Sequence, residues 1–385
     1  MKLLHTADWH LGMTVRRRGT YLEDQRYALE QIGRIAREEQ VDGILLAGDV
    51  FDRGVAPKDA LALYDETMTR FCLEWKIPVY VIAGNHDGAE RLSQCNELLK
   101  VGGLYVVGAL SEEVAVVRGT DCDIYMLPWI TTDKVKSVYP EEAEEVQSME
   151  DAYRVVLRHY REAFEEGKKN VLLAHAFIVN ADTSVSDRAA EVGQATMVGS
   201  YVFDAFDYVA LGHLHGPQDI RENLRYAGTP MPYAFGKEEK QEKSVTILDT
   251  DTMTRKICPL SLLHQRRTLT GTYEELKEMQ LEEEIQEGYV RLEVTDCYVG
   301  LEKISFLETR FPNLLEISSL DAEGETGNIT MTMEELEDVQ EDPDVLFTRF
   351  CEDQNKRKPG AHEMELFQKA VREYERRMVE GGDEG

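Results

Sequence analysis

Short, continuously apolar runs punctuate the first 260 residues, at 3–4, 44–47, 79–83, 171–174 and 208–211. Runs of this length without alternation read as strands buried on both faces. Between them lie stretches of helical period. Over 22–39, Leu22, Ala28, Leu29, Ile32 and Ile35 form one apolar stripe. A second helix is expected over 58–75, with Pro57 near its start, where a missing N–H costs little. A third is expected over 90–101. Shorter apolar runs at 104–107, 114–117 and 123–127 suggest a second sheet. A long acidic helix is predicted over 141–166, and strands near Leu224, Ser244 and Thr254 complete the core. The pattern predicts an α/β chain with two sheets flanked by helices.

The texture changes near 260–264. Strand 267–271, helix 273–279, strand 289–295, helix 301–310 and strand 315–320 form a small β-α-β-α-β unit. A polar, acidic connection follows from Gly324. The last helix is expected over 362–379, after a linker at 356–360. On it Met364, Phe367, Val371, Tyr374 and Met378 are spaced by 3, 4, 3 and 4 residues, an a/d stripe. Such a stripe serves either a helix packed on its own domain or one docked on a partner's helices. The domain organisation expected is 1–263, then 264–340, then 341–385 for the linker and terminal helix.

The composition, with 42% hydrophobic and 30% charged residues, is that of a soluble globular protein. No stretch approaches the roughly 18 apolar residues that span a bilayer. The N-terminus enters a strand directly, without the form of a signal peptide, so a cytoplasmic location and no membrane association are expected. Six scattered cysteines form no CxxC pair, which argues against a zinc ribbon or a disulfide framework. The net charge is −30, which disfavours unaided grip on a polyanion and a sequence-specific DNA reader. The acid is uneven. From His264 onward 31 acids face 14 bases, whereas the first 263 residues carry 42 against 29. The basic run Arg16, Arg17 and Arg18 is either a solvated loop or a set of phosphate contacts.

The apolar runs end in metal-ligand chemistry: Asp8-Trp9-His10, Gly48-Asp49, Gly84-Asn85-His86-Asp87, His175, and Gly212-His213-Leu214-His215. Ligands at the carboxyl ends of buried strands can converge on one rim. Asp8 and His10, like His213 and His215, are two apart and project to one side of an extended segment. Asp49 can bridge two cations with one oxygen to each, and Asn85 offers an amide oxygen. Gly48 and Gly84 let the backbone turn beside the site. Mixed N and O donors suit Mn, Zn or Fe better than Mg or Ca. Two such cations would polarise a phosphoryl oxygen and lower the pKa of water. Each pair alone is a weak signal; the ordered set is a strong one.

That ordered set resembles the calcineurin-like metallophosphoesterase superfamily. Thr6-Ala7-Asp8-Trp9-His10-Leu11-Gly12, Ala47-Gly48-Asp49-Val50-Phe51-Asp52 and Ala83-Gly84-Asn85-His86-Asp87 look like those of the bacterial SbcD family of nuclease subunits. These are relatives of the archaeal and eukaryotic double-strand-break repair nucleases. Ala210-Leu211-Gly212-His213-Leu214-His215 and Tyr226-Ala227-Gly228-Thr229-Pro230 agree. The resemblance implies an αββα sandwich, a capping domain that helps shape a DNA cleft, and a C-terminal helix. It implies two divalent ions, with Mn2+ foremost, one held by Asp8, His10, Asp49 and His215. The other would be held by Asp49, Asn85, His175 and His213. His86 would face the scissile phosphate and stabilise the leaving oxygen. Asp52 stands where archaeal relatives carry histidine, so Asp52 or Asp87 is left to orient His86 or nearby water.

The resemblance further implies a partner, the SbcC ATPase with long coiled coils. The stripe from Met364 to Met378 would dock at its coiled-coil base, and ATP-driven movement would gate access of DNA. Most of the apolar residues Leu61, Tyr64, Met68, Phe71, Leu92, Leu98 and Leu99 suit a core; the resemblance also pairs two subunits through this region, giving a homodimer within a heterotetramer. The implied activity is exonuclease on double-stranded ends and endonuclease on single strands or hairpins, in DNA repair, recombination and replication. The enzyme would be cytoplasmic and would join the nucleoid when acting. The competing reading is a small-molecule phosphodiesterase or phosphatase of the same superfamily.

Overall fold

A computed structural model describes residues 1–15, 19–179, 181–183, 197–297, 299, 301–320, 326–327, 360, 364 and 366–369. Two compact units, Met1–Gly327 and Asn328–Gly385, divide the chain. The first holds two six-stranded sheets. One runs in the order Thr254–Pro259, Ser244–Asp249, Lys2–Thr6, Gly43–Ala47, Val79–Ile82 and Leu104–Val107. The other runs Gln218–Arg221, Leu224–Tyr226, Tyr208–Gly212, Lys169–His175, Cys122–Leu127 and Val116–Val117. Their central strands are parallel, and strand alternation sorts the side chains into layers. Leu3, Leu45, Ile82, Ile124, Leu173 and Ala210 pack between the sheets. Leu4, Ile44, Leu46 and Val81 turn outward to meet Leu29 and Ile32 of helix Leu22–Glu38. On the far side Leu172, Ala174 and Val209 meet helix Met149–Glu162. Each fully buried aliphatic side chain contributes about 1.5–3 kcal/mol. The result is the expected αββα sandwich.

Several boundaries differ from the sequence reading. The strand Leu104–Val107 joins the first sheet, beside Val79–Ile82, and not the second. The helix expected over 58–75 is α-helical only over Lys58–Met68 and continues as a π-helix, Thr69–Glu74. The one expected over 90–101 breaks into Ala89–Leu92 and Asn96–Val101, because Cys95 takes a left-handed φ of 60°. The acidic helix expected over 141–166 begins only at Met149, where the Ser148 hydroxyl accepts the Asp151 N–H at 3.2 Å and caps it. A separate helix, Thr132–Val138, precedes it. Leu61 and Leu98, grouped with core residues in the sequence, are 50% and 75% exposed.

A third sheet pairs Arg266–Gly271, Tyr289–Val294 and Leu314–Leu320 in parallel, with Thr326–Gly327 antiparallel at its edge. Leu276 and Leu307 cover one face with Val290, Leu292 and Val294. The opposite face carries Arg266 and Tyr289, which seat on the sandwich. Arg266 is buried among the rings of Tyr21, Phe235 and Tyr289, at 5.0, 5.0 and 5.3 Å. Its Nε donates to the Pro232 carbonyl at 2.8 Å. In the second unit, Met364 and 366–369 are helical, and the Met364 N–H donates to the Gly360 carbonyl at 3.0 Å. Arg16, Arg17, Arg18, Val371, Tyr374 and Met378 lie outside the described residues.

Candidate metal centre

The carboxyl ends of five strands meet at one rim: Lys2–Thr6, Gly43–Ala47, Val79–Ile82, Lys169–His175 and Tyr208–Gly212. There the chain turns sharply. Asp8, His10, Asp49 and His213 all adopt positive φ, at 52°, 43°, 48° and 107°. Such conformations cost of order 1–3 kcal/mol each and persist where surroundings over-determine them. Backbone hydrogen bonds do so here: Asp8 N–H to Gly48 O at 3.0 Å and His10 N–H to Asp49 O at 2.9 Å. Gly48, with φ 85°, leaves room for His175, and a Cβ on Gly212 would run into the Ala47 carbonyl oxygen.

The rim gathers all seven donors expected from the sequence. His10 Nε2 lies 3.1 Å from His215 Nε2 and 3.8 Å from Asp49 Oδ2. His175 Nε2 lies 3.4 Å from the same Asp49 Oδ2 and 3.0 Å from Asn85 Oδ1. His213 Nδ1 is 3.0 Å from Asn85 Oδ1, and Asp8 Oδ1 accepts the His213 N–H at 2.9 Å. Two groups therefore share Asp49: His10, Asp49 and His86 on one side, and Asp49, His175 and His213 on the other. The sharing differs from one oxygen per group. Oδ2 faces both groups, while Oδ1 accepts the His86 N–H at 2.9 Å.

The donor set fits divalent cations. Asp8 Oδ2 and His10 Nδ1 are buried without a hydrogen-bond partner, a costly state for polar atoms. Two imidazole nitrogens facing each other at 3.1 Å need either a proton or a cation between them. Burial pushes the Asp8 carboxyl up to about 8. Burial also opposes ionisation of Asp49, but the adjacent His175 imidazole outweighs it and holds that carboxyl well below the usual range. Burial would lower His175, yet Asp49 and then Asp8 raise it to about 9. His213 falls to about 3 through burial and the His175 charge. Burial lowers His10 as well, leaving both rings neutral with lone pairs to offer.

His86 Nδ1 donates to the Asp52 backbone carbonyl at 2.8 Å. Asp52 thus meets the His86 ring through its main-chain carbonyl. Asp87 instead accepts three N–H groups, from Val50, Phe51 and Gly84, at 3.1, 2.9 and 2.9 Å, and ties the second and third ligand loops together.

Other supports of the centre left no sign in the motifs. The Gln25 side chain donates to His10 O at 2.7 Å and accepts from Gly12 N–H at 3.2 Å. The Tyr233 hydroxyl donates to Trp9 O at 2.5 Å. Trp129, half-buried, stacks on His213 with ring centroids 5.4 Å apart. Gln25 is the one that the pattern could have shown, as a polar residue facing inward from an amphipathic helix.

Comparison with known proteins agrees with this geometry. Residues 1–217 match the family model for calcineurin-like phosphoesterases. The SbcD subunit of the SbcCD nuclease from Staphylococcus epidermidis is 30% identical over 324 residues, covering 83% of this chain and 86% of that protein. The corresponding protein of Staphylococcus saprophyticus is 31% identical over 322 residues, covering 83% and 85%. A dimetal phosphatase structure from Danio rerio aligns over 67% of this chain and 96% of its own, at 11% identity and a TM-score of 0.39, too loosely to bear on function. The chain belongs to the calcineurin-like phosphoesterases and, within them, to the SbcD family of nuclease subunits, hydrolases of phosphodiester bonds.

Proposed function

We propose that the chain is the DNA nuclease subunit of an SbcC–SbcD type complex. Its activities would be exonuclease on double-stranded ends and endonuclease on single strands or hairpins. The observation that carries this reading is the pair of donor groups sharing Asp49 in a family of phosphodiester hydrolases. Asp8, His10, Asp49 and His215 would hold one divalent ion, and Asp49, Asn85, His175 and His213 the other, with Mn2+ favoured by the mixed donors. Bound, the pair would polarise the phosphoryl oxygen and lower the pKa of water. His86 keeps its Nδ1 on the Asp52 carbonyl, which leaves Nε2 to donate a proton to the leaving oxygen when the ring is protonated. Asp87 holds the loops that set this spacing.

The remainder of the chain takes its roles from this centre. Residues 1–263 act as the nuclease, 264–340 as a cap beside the DNA cleft, and 341–385 as linker and docking helix for the coiled-coil base of the SbcC ATPase. The homodimer expected within a heterotetramer has support in Leu61, Leu73, Leu98 and Val101, which are all exposed on the segment 58–101. Among the described residues no helix is long and apolar enough to cross a membrane.

The test compares an end-labelled hairpin with a small chromogenic phosphodiester, in Mn2+, with and without the ATPase. Hairpin cleavage that the ATPase and ATP modulate is expected. Turnover of the diester with the hairpin untouched under all conditions would favour a small-molecule esterase.

A further inference from the structure

Two buried charges outside the donor set press against one of its histidines. Lys243 and Glu238 both have side chains with no solvent exposure, and Lys243 Nζ lies 3.7 Å from Glu238 Oε2. Glu238 Oε1 is 3.5 Å from His215 Nδ1. Its Oε2 accepts the Tyr233 N–H at 2.9 Å. Lys243 Nζ donates to the His215 carbonyl and to the Thr229 hydroxyl oxygen, each at 2.9 Å. Thr229 adds its own N–H to that carbonyl at 3.1 Å. Gly228, with φ 73°, permits this approach, since a Cβ there would sit 2.7 Å from His215 O.

We propose that Glu238 and Lys243 are positioning residues for His215. The carboxylate faces Nδ1 and holds the tautomer with hydrogen there. Nε2, 3.1 Å from His10 Nε2, then keeps its lone pair on the metal side. The ammonium fixes the same residue by its carbonyl, so ring and backbone are anchored at once. An ion pair with no exposure is weak evidence of stabilisation, because desolvating both charges offsets their attraction. Carboxylates behind a ligating histidine orient the ring and raise its basicity. Beside their contacts with Tyr233 and Thr229, both charges meet His215, one at its ring and one at its carbonyl, which is what an orienting role requires.

The proposal rests on His215 being a metal ligand, and the experiment separates the two claims. Full-length protein is titrated with MnCl2 and free Mn2+ is read by electron paramagnetic resonance. Wild type, Glu238→Gln, the neutral pair Glu238→Gln with Lys243→Gln, His215→Ala and the combinations with His215→Ala are compared, with circular dichroism as the folding check. Wild type should bind two ions. The neutral pair, which leaves no uncompensated buried charge, should stay folded and bind one of the two about 10–100-fold more weakly. In the His215→Ala background the same change should cost nothing further. Unchanged affinity for both ions in the folded neutral pair, or a full additional loss on top of His215→Ala, would overturn the positioning role. A wild-type protein that binds no Mn2+ would overturn the metal-centre reading itself, and this proposal with it.

Discussion

At the residue scale the centre depends on side chains whose freedom has been removed. His86 is held by its Nδ1 contact to Asp52 O and by its N–H on Asp49. His86→Asn should therefore keep two bound ions while lowering hairpin cleavage by about 10²–10⁴-fold, the range of a general acid. Metal analysis beside the rate assay checks this, and an active variant removes His86 from the mechanism. Gly48 makes a second case. It sits at φ 85°, and a Cβ would strike His175 Nδ1. Gly48→Ala should displace His175 and weaken metal binding without any donor being lost, as a calorimetric Mn2+ titration would reveal. These residues were legible in the sequence because donor, glycine and preceding apolar run are contiguous. Tyr233 was not, since its contact with the ligand loop reaches across 224 positions, and Gln25 showed only as an inward-facing polar residue, with nothing local to name its partner 15 positions away.

At the element scale, apolar runs located the strands well and helices less well. A strand buried on both faces announces itself in four residues, whereas a helix end depends on a capping contact such as Ser148 with Asp151 or on a single left-handed residue such as Cys95. The sheet membership of Leu104–Val107 was illegible because pairing partners lie beyond any local pattern. The strand Cys122–Leu127 carries a buried polar anchor: Asp123 accepts from Arg118 at 2.6 Å and Lys168 at 3.1 Å. Burial opposes its ionisation, but Arg118 and Lys168 outweigh burial and lower its pKa. A folded value below the unfolded one of about 3.9 makes its stabilisation complete above that value and lost as pH falls through the folded one. Asp123→Asn should thus cost roughly 1–3 kcal/mol at pH 7, with Arg118 partly exposed. Urea unfolding of variant and wild type should converge as pH falls below about 3.9; a constant gap across that range would contradict the assignment.

At the scale of the whole molecule, the third sheet is joined to the sandwich through Arg266 and its three rings. The adjacent Thr268 hydroxyl donates to Glu239 at 2.7 Å. Arg266→Ala should lower stability by roughly 2–4 kcal/mol, since it empties the cage and leaves the Pro232 carbonyl unpaired. A shift in thermal unfolding, with faster proteolytic cutting near 260–266, would record it. The overall charge of −30 disfavours unaided grip on a polyanion, so if the substrate is DNA, cations and a second subunit supply much of the attraction. Truncation from Lys356 onward should accordingly retain Mn2+-dependent cleavage of single strands but lose co-elution with the ATPase on gel filtration. The most direct measurement is metal content and hairpin cleavage in one preparation, for wild type and Asp49→Ala. Two Mn2+ per chain with cleavage in the first, and loss of both in the second, is the expected result. Cleavage by an Asp49→Ala protein that holds no metal would contradict the two-ion account at its centre.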